Sequence, residues 1–399
     1  MSDWRKAVRT PISYTVTNNT LRLQSQFVTV VSVAGVVVLF ILYSLVPKSR
    51  VTYSDTRQYV NLDDDHGHEH VHQHRDCGLK VSYNDTYPLS KPEYLANEKI
   101  RYRIAITTDL DTDSHIDSHQ NLWISYLLKG YLIYYPNEEV VEIKWDKKSI
   151  SLRSSLASEG RSMELSELIV FNGKLYSCDD RTGIVYHIRD DIAIPWVILN
   201  DGDGNTAHSF KCEWLSVKDQ TLYVGGLGKE WTSTSGEILN YNPQWIKTIS
   251  VTGQVHHHNW RQHYLSLMSS CGIKYPGYVI HESAFWSHVH QKWFFLPRRV
   301  SSTKYNEKED ERKGSNIMLI SNNDFTDVQI KTIGGVLPTH GFSSFKFIPN
   351  TKDRVIVALK SEEDNGLVRT YIMVFTIEGK ILLTEQLIGN YKYEGLEFI

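Results

Sequence analysis

One unit recurs five times along the chain: an oxygen-bearing side chain, an apolar strand, a turn and a second strand. Ser166 is followed by ELIVF, the turn NGK and LYS; Glu213 by WLSV, KDQ and Leu222-Tyr223. Glu282 is followed by SAFW, HQK and WFF; Ser343 by SFKF, PNTKD and VIVAL; Glu394 by GLEFI alone. The five anchors stand 47 to 69 residues apart. Such lengths suit four-stranded blades with variable outer loops. The single strand after Glu394 needs a partner, and RYRIAITTDL at 101–110 supplies one. That pairing closes a ring and removes the exposed sheet edges. The expected fold is all-β, a five-bladed β-propeller. A 12% aromatic content agrees, since aromatic residues favour strands.

In such a ring the first strand of each blade lines the central channel. Ser166 with Glu167, Glu213, Glu282, Ser343 and Glu394 then converge on one axis. Carboxylates that close do not all ionise without a cation. An all-oxygen set lacking His and Cys suits a hard cation, and calcium accepts six to eight oxygens in a flexible geometry. The stretch ELSE at 164–167 is therefore expected to belong to an axial calcium site. Two other acidic stretches, DLDTDS from Asp109 and DGDGN from Asp201, begin like EF-hand loops. Ser114 and Thr206 replace the sixth-position glycine, and neither stretch has the closing glutamate.

The propeller is expected to occupy 99–399. Residues 1–26 read as a cytosolic tail, 27–46 as a transmembrane signal anchor and 47–98 as a lumenal stem. The run FVTVVSVAGVVVLFILYSLV carries no charge over 20 positions, enough to span a bilayer. Basic residues before it place the N-terminus in the cytosol. The sequon at Asn84 then lies on the glycosylated side, whereas the one at Asn18 does not. Five histidines between His66 and His74 read as a solvated tether. A net charge of −3 argues against a nucleic-acid partner. Four cysteines are too few for a disulfide scaffold. Cys178 and Cys212 come near each other if neighbouring sheets pack, but spacing alone does not fix a pairing.

The stretches MELSELIVFNGKLYSCDDRTG, GYVIHESAFW, WFFLPRR, DERKG, THGFSSFKFIPN, ALKSEED and YEGLEFI resemble the calcium-activated nucleotidases, the apyrases of the calcium-activated type. The similarity runs from about residue 84 to residue 399. It implies a five-bladed propeller with Ca2+ in its channel that hydrolyses nucleoside di- and triphosphates. It also implies family calcium ligands at Ser166, Glu167, Glu213, Glu282, Ser343 and Glu394, with position 167 a departure from aspartate. Membrane-anchored members sit in the endoplasmic reticulum and Golgi and favour UDP, with GDP and UTP also used. The resemblance leaves a homodimer and a cleaved, secreted form open. It points to a role in glycosylation and proteoglycan synthesis.

Phosphoanhydride hydrolysis needs charge neutralisation, a positioned water and a proton acceptor. Arg161, Arg181, Arg298 and Arg299 are the expected phosphate contacts, because the guanidinium fork matches phosphate oxygens. Asp109 and Asp111 are expected to orient or deprotonate the water, with Glu164 a further candidate. Trp231 is one of several aromatics that suit the base. GGLGKEW at 225–231 lacks the P-loop spacing. Two other functions fit the same ring. One is a non-catalytic, calcium-stabilised binding module. The other is a propeller lactonase or esterase that brings His281 or His340 into the metal shell.

Overall fold

The computed structural model describes strands Ser13–Val16 and Asn19–Arg22, and residues 82–119 and 121–399. The chain divides into two compact units, Met1–Cys77 and Gly78–Ile399. In the first, the two short strands pair antiparallel, Ser13 opposite Arg22. The apolar run 27–46, the histidines of the stem, Cys77 and Asn18 lie outside the described residues.

The second unit is nearly all β, with five sheets arranged as a five-bladed propeller. Blade 1 runs outward through Leu165–Phe171, Lys174–Asp179, Ile184–Arg189 and Ile192–Ile198. Blade 2 uses Trp214–Lys218, Thr221–Gly225, Trp245–Ile249 and Val255–Asn259. A small hairpin, Trp231–Thr232 with Ile238–Asn240, is inserted into it. Blade 3 begins with Tyr278–Ser287 and Lys292–Ser301, and blade 4 with His340–Phe347 and Val355–Asp364. Blade 5 joins the two ends of the unit: Lys392–Phe398 pairs antiparallel with Ile100–Asp109, Phe398 opposite Ile104. Each inner strand touches the next around the ring, and the last touches the first.

Local sequence explains the blades. Asn172-Gly173 and Asn365-Gly366 join their strands with both central residues at positive φ. That is the two-residue turn whose twist matches paired strands. The apolar faces of neighbouring blades meet in five separate clusters, one for each interface. Leu396 and Phe398 of the closing strand are both fully buried, against Tyr102, Val357 and Leu359. Cys178 and Cys212 form a disulfide that links blade 1 to the segment entering blade 2, with Cα atoms 6.2 Å apart. The unit also takes in residues 82–98. The Tyr87 hydroxyl donates to Glu397, and the Asn84 backbone N–H to Asn172 Oδ1 at 2.7 Å.

Candidate active site at the channel mouth

The ladders between first and second strands slip at the anchors. In blade 1 the register jumps from Leu165 to Glu167, passing over Ser166. In blade 3 it jumps from His281 to Ala284, in blade 4 from Phe342 to Ser344, and in blade 5 from Tyr393 to Gly395. Ser166, Glu282, Ser343 and Glu394 are thus β-bulge residues, left out of the ladder and re-aimed by the local bend. Glu213 stands just before its strand, its N–H bonded to Gly225 O. Beside the closing bulge, a Cβ on Gly395 would fall 2.7 Å from the backbone of Glu167 and Leu168, so the inner strands of blades 5 and 1 are pressed together there.

Around these anchors the charged side chains form a ring of alternating sign. Lys211 pairs with Glu213 at 2.9 Å and with Asp180; Arg181 lies 3.7 Å from Asp180 and 3.0 Å from Glu164. Arg161 holds Glu164 with two hydrogen bonds, at 2.6 and 2.7 Å, and reaches Asp111 at 3.1 Å. Lys392 lies 2.5 Å from Asp109, 3.4 Å from Glu394 and 3.8 Å from Asp111. Arg298 pairs with Glu394 at 2.8 Å, with Glu282 and with Glu363. Glu282 and Glu213 repel each other across the channel and complete the circuit.

Burial sets the protonation of this ring. It pushes Glu164 up to about 7 and Glu213 up to about 8. It raises Asp109 and, most strongly, Glu394, in both cases against the pull of Lys392. At Glu363 burial also acts upward, but Lys392 and Arg298 prevail and hold it down to about 2. A cavity of about 470 Å³ opens beside the ring. Arg161, Arg181 and Lys211 line it, together with Asp201, Trp231 and Leu239. The Trp231 indole donates to Asp201 at 3.3 Å, which fixes its ring.

The structure sorts the expected residues. Asp109, Asp111, Arg161, Glu164, Arg181 and Arg298 join the ring with Glu213, Glu282 and Glu394. Arg299 does not: it faces Thr339 O at 3.5 Å and Asp310 at 3.8 Å, because successive strand residues point to opposite sides. The Glu167 carboxylate is engaged by neighbouring groups. Its Oε1 accepts from Ser344 Oγ at 2.8 Å and from Leu168 N at 2.9 Å, and lies 3.1 Å from Lys346. Ser343 is fully buried with its hydroxyl 3.4 Å from Tyr393 O, and Ser166 Oγ is buried with no hydrogen-bond partner among the described residues. His281 points away from the channel, and burial pushes its imidazole down to about 3. His340 is bound to Glu385 at 2.5 Å and stacked on Tyr371. Neither histidine joins the ring, which removes the observation that favoured a lactonase.

Sequence reasoning missed Asp180, Lys211, Glu363 and Lys392. Asp180 and Lys211 flank the two bridged cysteines, and Lys392 precedes Glu394 by two, so it shares a strand end with a recognised anchor. Those spacings were the available signal.

Asp109, Asp111 and Glu164 also place one carboxylate oxygen each within 4.8 Å of the others, a spacing that could hold a metal ion. Arg161, Arg181 and Lys392 already neutralise that trio. The axial set offers a second cation fit: Glu282 repels both Glu213 and Glu394, Ser166 adds a buried hydroxyl without a partner among the described residues, and every donor is oxygen, although Lys211, Arg298 and Lys392 pair with its carboxylates likewise.

The family model described as Apyrase matches residues 110–399. "Soluble calcium-activated nucleotidase 1" of Mus musculus is 58% identical over 317 residues, covering 79% of this chain and 78% of its own length. "Apyrase apy-1" of Caenorhabditis elegans is 47% identical over 80% of this chain and 89% of the relative. The "Apyrase" of Cimex lectularius is 42% identical over 80% and 88%.

Proposed function

The chain belongs to the apyrase family, and from that premise we propose that its propeller hydrolyses nucleoside di- and triphosphates, with calcium on the ring axis. One observation carries the reading: three cations and an indole line a single cavity beside a ring of buried carboxylates. Arg161, Arg181 and Lys211 bind the phosphate oxygens, and Trp231 takes the base. Glu164 holds both arginines in place. Water attacks the terminal phosphorus, its proton passes to the Asp109–Asp111 pair, and the bridging P–O bond breaks to release phosphate. A raised carboxylate pKa suits that proton transfer near neutral pH. Ser166, Glu213, Glu282, Ser343 and Glu394 would hold the calcium, which supplies charge neutralisation at the phosphates. Arg298 orients Glu282, Glu363 and Glu394, and together with Lys392 it keeps Glu363 ionised.

The favoured substrates are UDP, GDP and UTP, and the setting is the secretory pathway, where the enzyme supports glycosylation. Residues 27–46 anchor it with the propeller in the lumen, and Asn84 carries a glycan. These readings rest on the sequence patterns and on the family. Phosphate release from UDP, GDP, ADP and the triphosphates, with calcium or magnesium, tests the function. Release from UDP and GDP with calcium is expected. No release from any nucleotide would leave the non-catalytic binding module.

A further inference from the structure

His281 adjoins Glu282 on the inner strand of blade 3 but faces the interface of blades 2 and 3, where it is 1% exposed. Among the described residues, neither of its ring nitrogens has a hydrogen-bond partner. The ring packs against Tyr264, 5.5 Å between centroids, and Phe295, 5.2 Å. Among the described residues, Gln244 Oε1 is buried without a partner, and the buried Tyr264 hydroxyl has only the Trp214 indole near it, outside hydrogen-bond geometry. These three side chains line the same small cavity, with Gly228 on its wall.

A neutral imidazole carries one donor and one acceptor, and a hydroxyl carries both. Each buried polar atom left unmet costs about 1–3 kcal/mol. Unmet donors and acceptors on three residues that line one space call for a bridging group able to donate and accept. The cavity measures about 20 Å³. One water needs about 10–15 Å³ of space, so the cavity is roomy enough for an ordered water.

We propose that this cavity holds one ordered water joining His281 to Gln244 and Tyr264, and that His281 thereby positions both Glu282 and the segment carrying Trp231. The same residues tie those two parts together. The His281 backbone N–H donates to Leu227 O at 2.9 Å, and Gln244 Nε2 donates to Gly228 O at 3.3 Å. Gly228 has φ +71°, and a Cβ there would meet the Tyr264 ring at 2.5 Å, so the segment lies directly on the cavity wall. Three residues further on, Trp231 faces the nucleotide cavity. The water thus sits between a calcium ligand and a base-binding ring; this half of the inference rests on the function proposed above.

A crystal structure of the full chain tests the water directly. Density is expected within hydrogen-bonding distance of a His281 nitrogen and of Gln244 Oε1 or the Tyr264 hydroxyl. A dry cavity overturns the proposal. The positioning role is read from calcium affinity by titration calorimetry and from KM for UDP. His281→Phe, which keeps the ring and loses both nitrogens, is expected to weaken calcium binding and raise KM about tenfold each, the scale of lost outer-shell support. His281→Gln, which keeps a donor and an acceptor, should stay near wild type. Wild-type values in a folded His281→Phe protein refute the positioning role. Should that variant not fold, Gln244→Leu applies the same test from the opposite side of the water. Failure of the nucleotidase reading would show separately, as wild-type protein releasing no phosphate while the water remains visible.

Discussion

Arg161 grips Glu164 with both Nε and Nη2, at 2.7 and 2.6 Å, and Glu164 also accepts from Arg181. One fully buried carboxylate therefore sets the direction of two arginines that line the cavity. Burial places its pKa at about 7, above the ordinary range. Above that pH it is ionised and holds both arginines; as pH falls through 7 it takes a proton and the grip weakens. KM for UDP is expected to rise on acidification across this window. Glu164→Gln should show the high KM at every pH. A charged hydrogen bond contributes about 1.5–3 kcal/mol, which corresponds to a roughly 10- to 100-fold change in KM. A wild-type pH profile retained in that variant would exclude Glu164 as the titrating group.

The metal makes a second test. Activity is expected with calcium and to be slight with magnesium, whose tight octahedron a broad ring of carboxylates does not offer. Glu394→Ala should fold, lose high-affinity calcium binding and lose most activity, whereas Asp111→Asn should bind calcium normally. Equal turnover in EGTA plus magnesium would sink the axial site.

Ring closure gives a third. Leu396 and Phe398 are wholly buried, and two such side chains contribute about 3–6 kcal/mol together. Against a typical total of about 5–15 kcal/mol, deletion of residues 393–399 should lower thermal stability sharply and abolish activity. A truncated protein that still hydrolyses UDP with a normal calcium response would contradict this.

Topology gives a fourth. Asn84 is exposed beside the turn at Asn172-Gly173. Asn84→Gln is expected to remove the glycosidase-sensitive mass shift, and Asn18→Gln to leave it. A shift lost only in the Asn18 variant reverses the proposed orientation.

The blade count and the closure were legible because each inner strand repeats one apolar pattern after an anchor, and GLEFI lacked a local partner. The axial anchors were legible for the same reason. What local pattern could not give was which side of a strand a neighbour faces once a bulge intervenes. Arg299 and Glu167 sit one residue from Arg298 and Ser166 yet bond to other groups. Lys211 and Lys392 were hidden because a lysine before a strand ordinarily points to solvent; only the fold brings acids around them.

The four bulges also bear on how such a chain can change over evolutionary time. Removing one residue at Ser166, Ser343 or Glu394 would delete an anchor yet leave the ladder on both sides in register, since the bulge residue is the one the partner strand already passes over. Such deletions should leave the blades standing and be felt as lost activity, because each removes an axial oxygen donor. The loops outside the ring carry no axial donor, so length variation among descendants should collect there.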